Sequence, residues 1–530
     1  MDLWARESGR KRLAAAFLLL AVGVVANGLA AGGDAWAVDQ RKHPPGAGRP
    51  IAKPMAMPMA RPLGPNTFHG LPNGPDSRLT GVPRPGQRAP GLAHQGPLPG
   101  QHPGFERRNA ILAAQQRLPR RPLPGERGFT GVPPRGETRF VSNEMVFQVG
   151  PNVSPQAVDS VARRLALSAV GSQVSVAGGT LLRFRINDGR PVADVIRALE
   201  AEKIGVAQPN YVYKLQQDQS LAGAATRGDP AQYVVSKLRL AEVHRIARGT
   251  NVVVAVIDSV IDARHPDLAG TIVEQFDAVG RNDKPDVHGT GMAGAIAAHR
   301  RLMGVAPDAR ILAIHAFSPN SASSPEATTE HILKGLDWAI KKGARIINMS
   351  FAGPYDPMLQ LALKKAHEKG VVLIAAAGNL GPKSPPLYPA ADEHVIAVTA
   401  TDENDRVLNQ ANRGPYIAVA APGVDILEPA PNAGYQVTTG TSVAAAHVSG
   451  IAALLIERNP AIDAASVREI LSTSAKHMAA KGRDDQFGWG LVDPYRALAA
   501  ADAKVARDRP ASPAAEAAGA KPKPVSARSP

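Results

Sequence analysis

The chain has no cysteine among its 530 residues, and that absence removes disulfides, thiol nucleophiles and thiolate metal sites together. Aromatic residues are scarce, at 4%, so the basic stretches lack the interleaved rings on which nucleic-acid bases stack. Acidic residues are also short, 46 against 61 Lys and Arg, for a net charge of +15. That shortage is local. Residues 38–137 hold 15 Lys and Arg, 5 Asp and Glu and 20 of the 47 prolines, while residues 138–500 keep a net charge of only +1. The excess charge therefore sits in Pro-rich arms, which predicts weak, salt-sensitive contact with anionic surfaces and no specific nucleic-acid function. Beyond the N-terminal region, no apolar run is long enough to cross a bilayer.

What is present begins with that N-terminal region. Arg6, Arg10, Lys11 and Arg12 precede the apolar run Leu13 to Val25, and Ala35-Trp36-Ala37 offers small residues at a cleavage point. Residues 1–37 read as a signal peptide of an exported protein, with an uncleaved anchor as the alternative because the run continues weakly to Ala31. Residues 38–136 read as a disordered basic arm and 501–530 as a disordered tail, since neither has the periodicity to support a core. Alternation from Glu144 to Val149, a helix opened by Ser154-Pro155, strands at Ser172–Ala177 and Thr180–Ile186, a helix to Glu202 and a strand Gly205–Tyr213 predict a β-α-β-β-α-β unit. This is a small ferredoxin-like α+β domain over 143–214, followed by a linker at 215–228.

From 229 to 500 the pattern changes. Val252–Ile257, Ile311–Ile314, Ile346–Met349, Val371–Ala376 and Val395–Thr399 are continuously apolar, which predicts an α/β domain with a mostly parallel sheet covered by helices on both faces. Ser324-Pro325-Glu326 and Asp356-Pro357 have the form of helix caps, and Gly343 and Gly370 stand where helices end.

Functional groups in such a sheet collect at the carboxyl ends of strands. Asp258 follows the strand ending at Ile257, and His288 heads a small-residue helix. Asn379 follows the strand ending at Ala376, and Ser442 begins a long apolar helix running to Arg458. Each alone has an ordinary structural reading as a cap or turn residue. Together they fit a nucleophile, a general base, an orienting carboxylate and an oxyanion donor, with the Ser442 backbone N–H as a second donor.

The runs Val254-Ala255-Val256-Ile257-Asp258-Ser259, His288-Gly289-Thr290-Gly291-Met292-Ala293-Gly294 and Gly440-Thr441-Ser442-Val443-Ala444-Ala445 resemble the subtilisin-like serine proteases in content and order. Gly304-Val305-Ala306-Pro307, Ile347-Asn348-Met349-Ser350, Ala377-Gly378-Asn379 and Tyr388-Pro389-Ala390 extend the likeness. The resemblance implies a serine endopeptidase acting through an acyl-enzyme on Ser442, without a cofactor, as a monomer on protein or peptide substrates. It implies that Ser350, Phe351, Ala352, Gly353, Gly378 and Leu387 line the substrate cleft, with a shallow pocket for small or medium apolar side chains. It also makes the 143–214 module, ending Pro209-Asn210-Tyr211-Val212-Tyr213, similar to an inhibitory, chaperoning propeptide that occupies the cleft until self-processing between about Lys214 and Asp229. Three positions depart from the family pattern. Gly291 stands where a second histidine is usual, Val260 where a glycine follows the aspartate, and Ala446 where a proline follows the serine. These departures motivate the alternative of a weakly active or inactive peptide-binding relative. His447 matches a structural histidine. Only His299–Met303 intervenes where many relatives carry a calcium loop, so no metal is expected there; Asp267 reads as a local hydrogen-bonding group, and calcium sites built from scattered backbone carbonyls stay open as the alternative.

Overall fold

Continuous hydrophobicity in the large-domain strands has a direct cause. Val254 and Val256 join one apolar cluster while Ala255 and Ile257, between and after them, join another on the opposite face of the sheet. The computed structural model describes residues 121–216, 232–320, 323–479 and 482–508. The expected signal peptide and most of the arm, linker and tail lie outside those residues.

The large sheet has seven strands in the order β14-β13-β12-β10-β5-β7-β6. They are β5 (Val253–Asp258), β6 (Ile272–Asp277), β7 (Arg310–His315), β10 (Ile346–Met349), β12 (Val372–Ala376), β13 (Val395–Thr401) and β14 (Ile417–Pro422). Every pairing is parallel, so all the strand ends that carry candidate groups open on one edge. Helices in chain order are α1 (Pro155–Arg164), α2 (Val192–Glu202), α3 (Tyr233–Lys237), α4 (Leu240–Val243), α5 (Val287–Ala297), α6 (Thr329–Lys341), α7 (Pro357–Glu368), α8 (Thr441–Arg458), α9 (Ala464–Ser474) and α10 (Pro494–Asp508). Apolar residues of α5 and α8 cover one face of the sheet and those of α6 and α7 the other. Gly343 and Gly370 follow α6 and α7 with φ of +77° and +81°, the left-handed conformation that closes a helix.

The small domain is β1 (Phe140–Val149), α1, β2 (Leu167–Val174), β3 (Thr180–Ile186), α2 and β4 (Gly205–Leu215), in the sheet order β2-β3-β1-β4. Its second strand starts earlier than Ser172 because Leu167 pairs with Ile186 across the whole length of β3. Past its pairing with β1, β4 continues into the large domain, where Lys214 pairs antiparallel with β9 (Ser323–Thr328) on one edge and with β11 (Phe351–Ala352) on the other. A short strand β8 (Ser318–Asn320) pairs with β9, and a hairpin, β15 (Ile426–Ala430) with β16 (Gly434–Thr438), lies beyond the main sheet.

Three expectations are corrected. Ser324-Pro325-Glu326 does not cap a helix: Glu326, Ala327 and Thr328 pair with Lys214, Tyr213 and Val212, and α6 begins after Thr328. Residues 121–136 are not a disordered arm but a strap on the small domain. Glu200 accepts the Gly131 N–H at 2.7 Å and the Thr130 hydroxyl at 2.8 Å, which satisfies an irregular backbone without periodicity. The tail from 501 begins inside α10, where Ala501 is buried.

Candidate active site

Asp258, at the end of β5, is fully buried, and its Oδ1 accepts from His288 Nδ1 at 2.7 Å and from the Ser259 N–H at 2.7 Å. Because a carboxylate oxygen can only accept, Nδ1 carries the proton and Nε2 is left with its lone pair. His288 is held from its own backbone as well, since the cap of α5, Asp286, accepts its N–H at 2.9 Å. Burial works against the imidazolium, and the Asp258 charge and hydrogen bond outweigh it, holding His288 above the ordinary histidine range. Nε2 is buried and has no hydrogen-bond partner among the described residues.

Ser442 lies in the first turn of α8, whose residues from Thr441 to Ile456 are all buried. Ser350 donates its hydroxyl to the Ser442 carbonyl at 3.0 Å and takes one from Asn348 Nδ2 at 2.9 Å, fixing the helix start. Asn379 is aimed by Thr441, whose N–H and hydroxyl reach Asn379 Oδ1 at 3.2 and 2.9 Å. That leaves the amide Nδ2 free to point at the cleft.

The cleft is filled by the chain itself. Leu215 pairs with Phe351 and Lys214 with Ala352, and the Gln216 N–H donates to Ser350 O at 3.2 Å. The Gln216 carbonyl oxygen then accepts from Asn379 Nδ2 at 2.9 Å and from the Ser442 hydroxyl at 2.7 Å. A Cβ on Gly440 would stand 2.5 Å from that oxygen, so only glycine leaves room for the carbonyl. The Gln216 side chain, nearly buried, accepts the Asn379 N–H at 2.9 Å and turns its amide toward the Lys214 and Leu215 carbonyls. Gly353 pairs with Tyr388, and Leu387 with Ala352, Gly353 and Gln216 lines one cavity of about 330 Å³. The Gly378 N–H donates to Thr441 Oγ1 at 3.1 Å, and its Cα faces Leu387.

The structure thus shows two pairs at the carboxyl ends of the sheet strands and the start of α8, Asp258 with His288 and Asn379 with Ser442 on the Gln216 carbonyl, and no hydrogen bond among the described residues joins the pairs. Two details differ from expectation. Asn379 and the Ser442 hydroxyl hold the Gln216 oxygen, but the Ser442 N–H does not bond to it. The residue whose carbonyl reaches Ser442 is glutamine, and its side chain bonds to the Asn379 N–H and the Lys214 and Leu215 carbonyls.

Residues 249–490 match the model of the subtilase family. Thermitase of Thermoactinomyces vulgaris is 34% identical over 275 residues, 50% of this chain and 95% of thermitase. The chain belongs to the subtilase family. The minor extracellular protease Epr of Bacillus subtilis is 36% identical over 49% of this chain, although the chain spans only 40% of Epr. The crystal structure of fervidolysin from Fervidobacterium pennivorans, a keratinolytic enzyme related to subtilisin, superposes with a TM-score of 0.59 at 26% identity, covering 70% of this chain and 62% of that one. This subtilase is accordingly a serine-type endopeptidase with a subtilisin-like fold.

The departures of this subtilase from the family pattern have local explanations. A Cβ at Gly291 would come within 2.6 Å of Glu428 Oε2, so a carboxyl from β15 fills the space beside α5. Glu428 is buried and neither oxygen has a hydrogen-bond partner among the described residues. Burial pushes its pKa up to about 8; Thr438 and His288 oppose the shift and Asp258 adds to it. Val260 is outside the left-handed region and its carbonyl accepts the Asp286 N–H at 2.8 Å. Ala446 is buried inside an unbroken α8. His447 Nδ1 donates to Pro422 O at 2.9 Å, and burial lowers its pKa to about 4. Asp267 accepts the Arg301 N–H at 2.6 Å, closing the short His299–Met303 turn.

Sequence reasoning placed Gln216 only within the window from about Lys214 to Asp229, and it did not single out Ser259 or Glu428. Ser259 stood inside a quoted motif and its hydroxyl was the available signal. Glu428 and Gln216 carried none, because their settings are made by segments distant in the chain.

Proposed function

We propose that this subtilase is an exported endopeptidase made as a precursor that cuts itself after Gln216. The observation that carries this reading is the Gln216 carbonyl, set between the Asn379 amide and the Ser442 hydroxyl with its strand paired to β11. In the reaction Ser442 Oγ turns toward His288 Nε2, yields its proton there and attacks the Gln216 carbonyl carbon. Asn379 Nδ2 holds the oxyanion, and Asp258 keeps the imidazole in the required tautomer and stabilises its cation. His288 then protonates the departing amine of Gln217, leaving an acyl-enzyme on Ser442 that water hydrolyses. This sequence of steps uses side chains alone and asks for no cofactor.

The small domain suits a propeptide role because β4 is both its edge strand and the occupant of the cleft. Strand addition of this kind binds backbone along both edges, to β9 and β11, and leaves specificity to pockets. Export is supported by the basic and apolar N-terminal run and by the extracellular description of Epr. The arm is read as a spacer with weak affinity for anionic surfaces, and the substrates as proteins or peptides taken by a monomer.

The deciding measurement is the intact mass of residues 38–530, wild type beside Ser442→Ala. The expected result is that wild type alone loses everything through Gln216 and begins at Gln217. If both stay full length under folding conditions, the chain is an inactive peptide-binding relative instead.

A further inference from the structure

Tyr213, three residues before Gln216, is the fourth residue on the acyl side of the bond placed at Ser442, and it is fully buried. Its ring meets Phe351 edge-on with centroids 5.8 Å apart. Gly353 makes the slot possible, because a Cβ there would stand 2.4 Å from the ring. An aromatic slot of this kind would accept Phe as readily as Tyr. The end of the slot is different. Tyr213 donates its hydroxyl to Asp356 Oδ2 at 2.9 Å.

Asp356 is itself buried and belongs to the large domain, where it caps α7 by accepting the Leu359 N–H at 2.9 Å. Thr329 donates to Oδ2 at 2.6 Å and Gln208 Nε2 to Oδ1 at 2.7 Å. Four donors converge on the group with no acceptor among them, so in this arrangement both oxygens accept; burial pushes its pKa up and the four hydrogen bonds oppose that rise. Two of the donors, Tyr213 and Gln208, come from the small domain. Once that domain departs, the carboxylate keeps Leu359 and Thr329 and loses half its partners. A buried carboxylate in that state favours an occupant that brings a hydroxyl back.

We propose that Asp356 is a specificity-determining residue of the mature enzyme, selecting tyrosine over phenylalanine at the fourth residue before the cleaved bond. The proposal rests on Gln216 being the residue after which the chain cuts. A hydrogen bond to a charged group corresponds to a preference of about 10- to 100-fold. It stays far below the discrimination of sites whose polar groups are left wholly unpaired, because Leu359 and Thr329 remain.

The test uses the self-processed enzyme obtained from the full chain and two fluorogenic amides, one ending Tyr-Lys-Leu-Gln and the other Phe-Lys-Leu-Gln. Wild type is expected to show kcat/KM at least about tenfold higher for the Tyr peptide. In Asp356→Asn, which keeps an acceptor for the Leu359 N–H, the ratio falls below about threefold. Should Asp356→Asn fail to fold or process, the wild-type ratio decides alone. Equal hydrolysis of the two peptides by wild type overturns the proposal and leaves the Gln216 reading standing. Processing at another bond, with neither peptide cut, overturns the Gln216 reading and the proposal with it.

Discussion

Two of the three carboxyl groups around His288 are treated in opposite ways by the fold. Asp258, at the carboxyl end of a parallel strand, meets an imidazole and a backbone amide on one oxygen. Glu428, on the hairpin beyond the sheet, is equally buried and has only the Thr438 hydroxyl as a donor near it among the described residues, outside hydrogen-bond geometry. Burial raises the cost of ionising Glu428, and too little stands beside it to offset that cost. Asp258 is bonded to the histidine Nδ1 proton, whereas Glu428 keeps its own proton up to about pH 8. Proximity to a catalytic histidine is therefore not enough to make a carboxylate part of the reaction.

The largest expected effect comes from Asp258→Asn. The amide is nearly the same shape but presents the wrong hydrogen-bond pattern to Nδ1, and kcat for peptide hydrolysis should fall about 10⁴-fold. Glu428→Gln should leave kcat within about tenfold of wild type. Parallel kinetics on the two variants checks the contrast, and a comparable collapse in Glu428→Gln would abolish it.

Glu428→Gln should act on stability instead. The folded pKa of Glu428 lies above its ordinary value of 4.5. Below about 4.5 the group is protonated in both states and contributes its full share. Between about 4.5 and 8 only the unfolded chain gives up the proton, so stability declines as pH rises, and above about 8 the loss is complete. A glutamine does not titrate. In a Ser442→Ala background that prevents self-digestion, Glu428→Gln should gain on the parent across that window, reaching on the order of 2–5 kcal/mol at pH 9. Denaturant unfolding at pH 5 and pH 9 measures it, and a difference that does not change with pH would mean that Glu428 is charged throughout.

The same contrast explains what could be read from the chain. Asp258, His288, Asn379 and Ser442 were legible because each sits at the end of a strand or the start of a helix whose residues announce it locally. The parallel sheet was legible because both faces of its strands are buried, which leaves runs such as Val253–Ile257 without polar interruption. Glu428 was not, since its burial depends on a missing side chain at Gly291, remote in sequence. Gln216 was not, since a glutamine after an alternating strand says nothing until β11 lies beside it. The strand Ser323–Thr328 was misread for a related reason. Ser324-Pro325-Glu326 has good capping chemistry, and only the neighbouring edges of β4 and β8 make it a strand instead.

The smallest expected effect separates two neighbours that compete for one proton. The Ser259 hydroxyl lies 3.2 Å from Asp258 Oδ1 and 2.9 Å from Asp286 Oδ1, and it accepts the Gly289 N–H at 3.0 Å. One hydroxyl carries one hydrogen, so it serves one carboxylate at a time, and the shorter contact assigns it to Asp286. Asp258 would then rely on His288 and the Ser259 N–H alone, and both survive Ser259→Ala. The variant should lose about 1 kcal/mol of stability, because the Gly289 N–H at the start of α5 loses its acceptor. Its kcat should stay within about threefold, and the acidic limb of its kcat/KM profile should move by less than about 0.3 pH units. A displacement of a full unit would mean that the hydroxyl belongs to Asp258, and that the carboxylate holding His288 is defined by three donors rather than two.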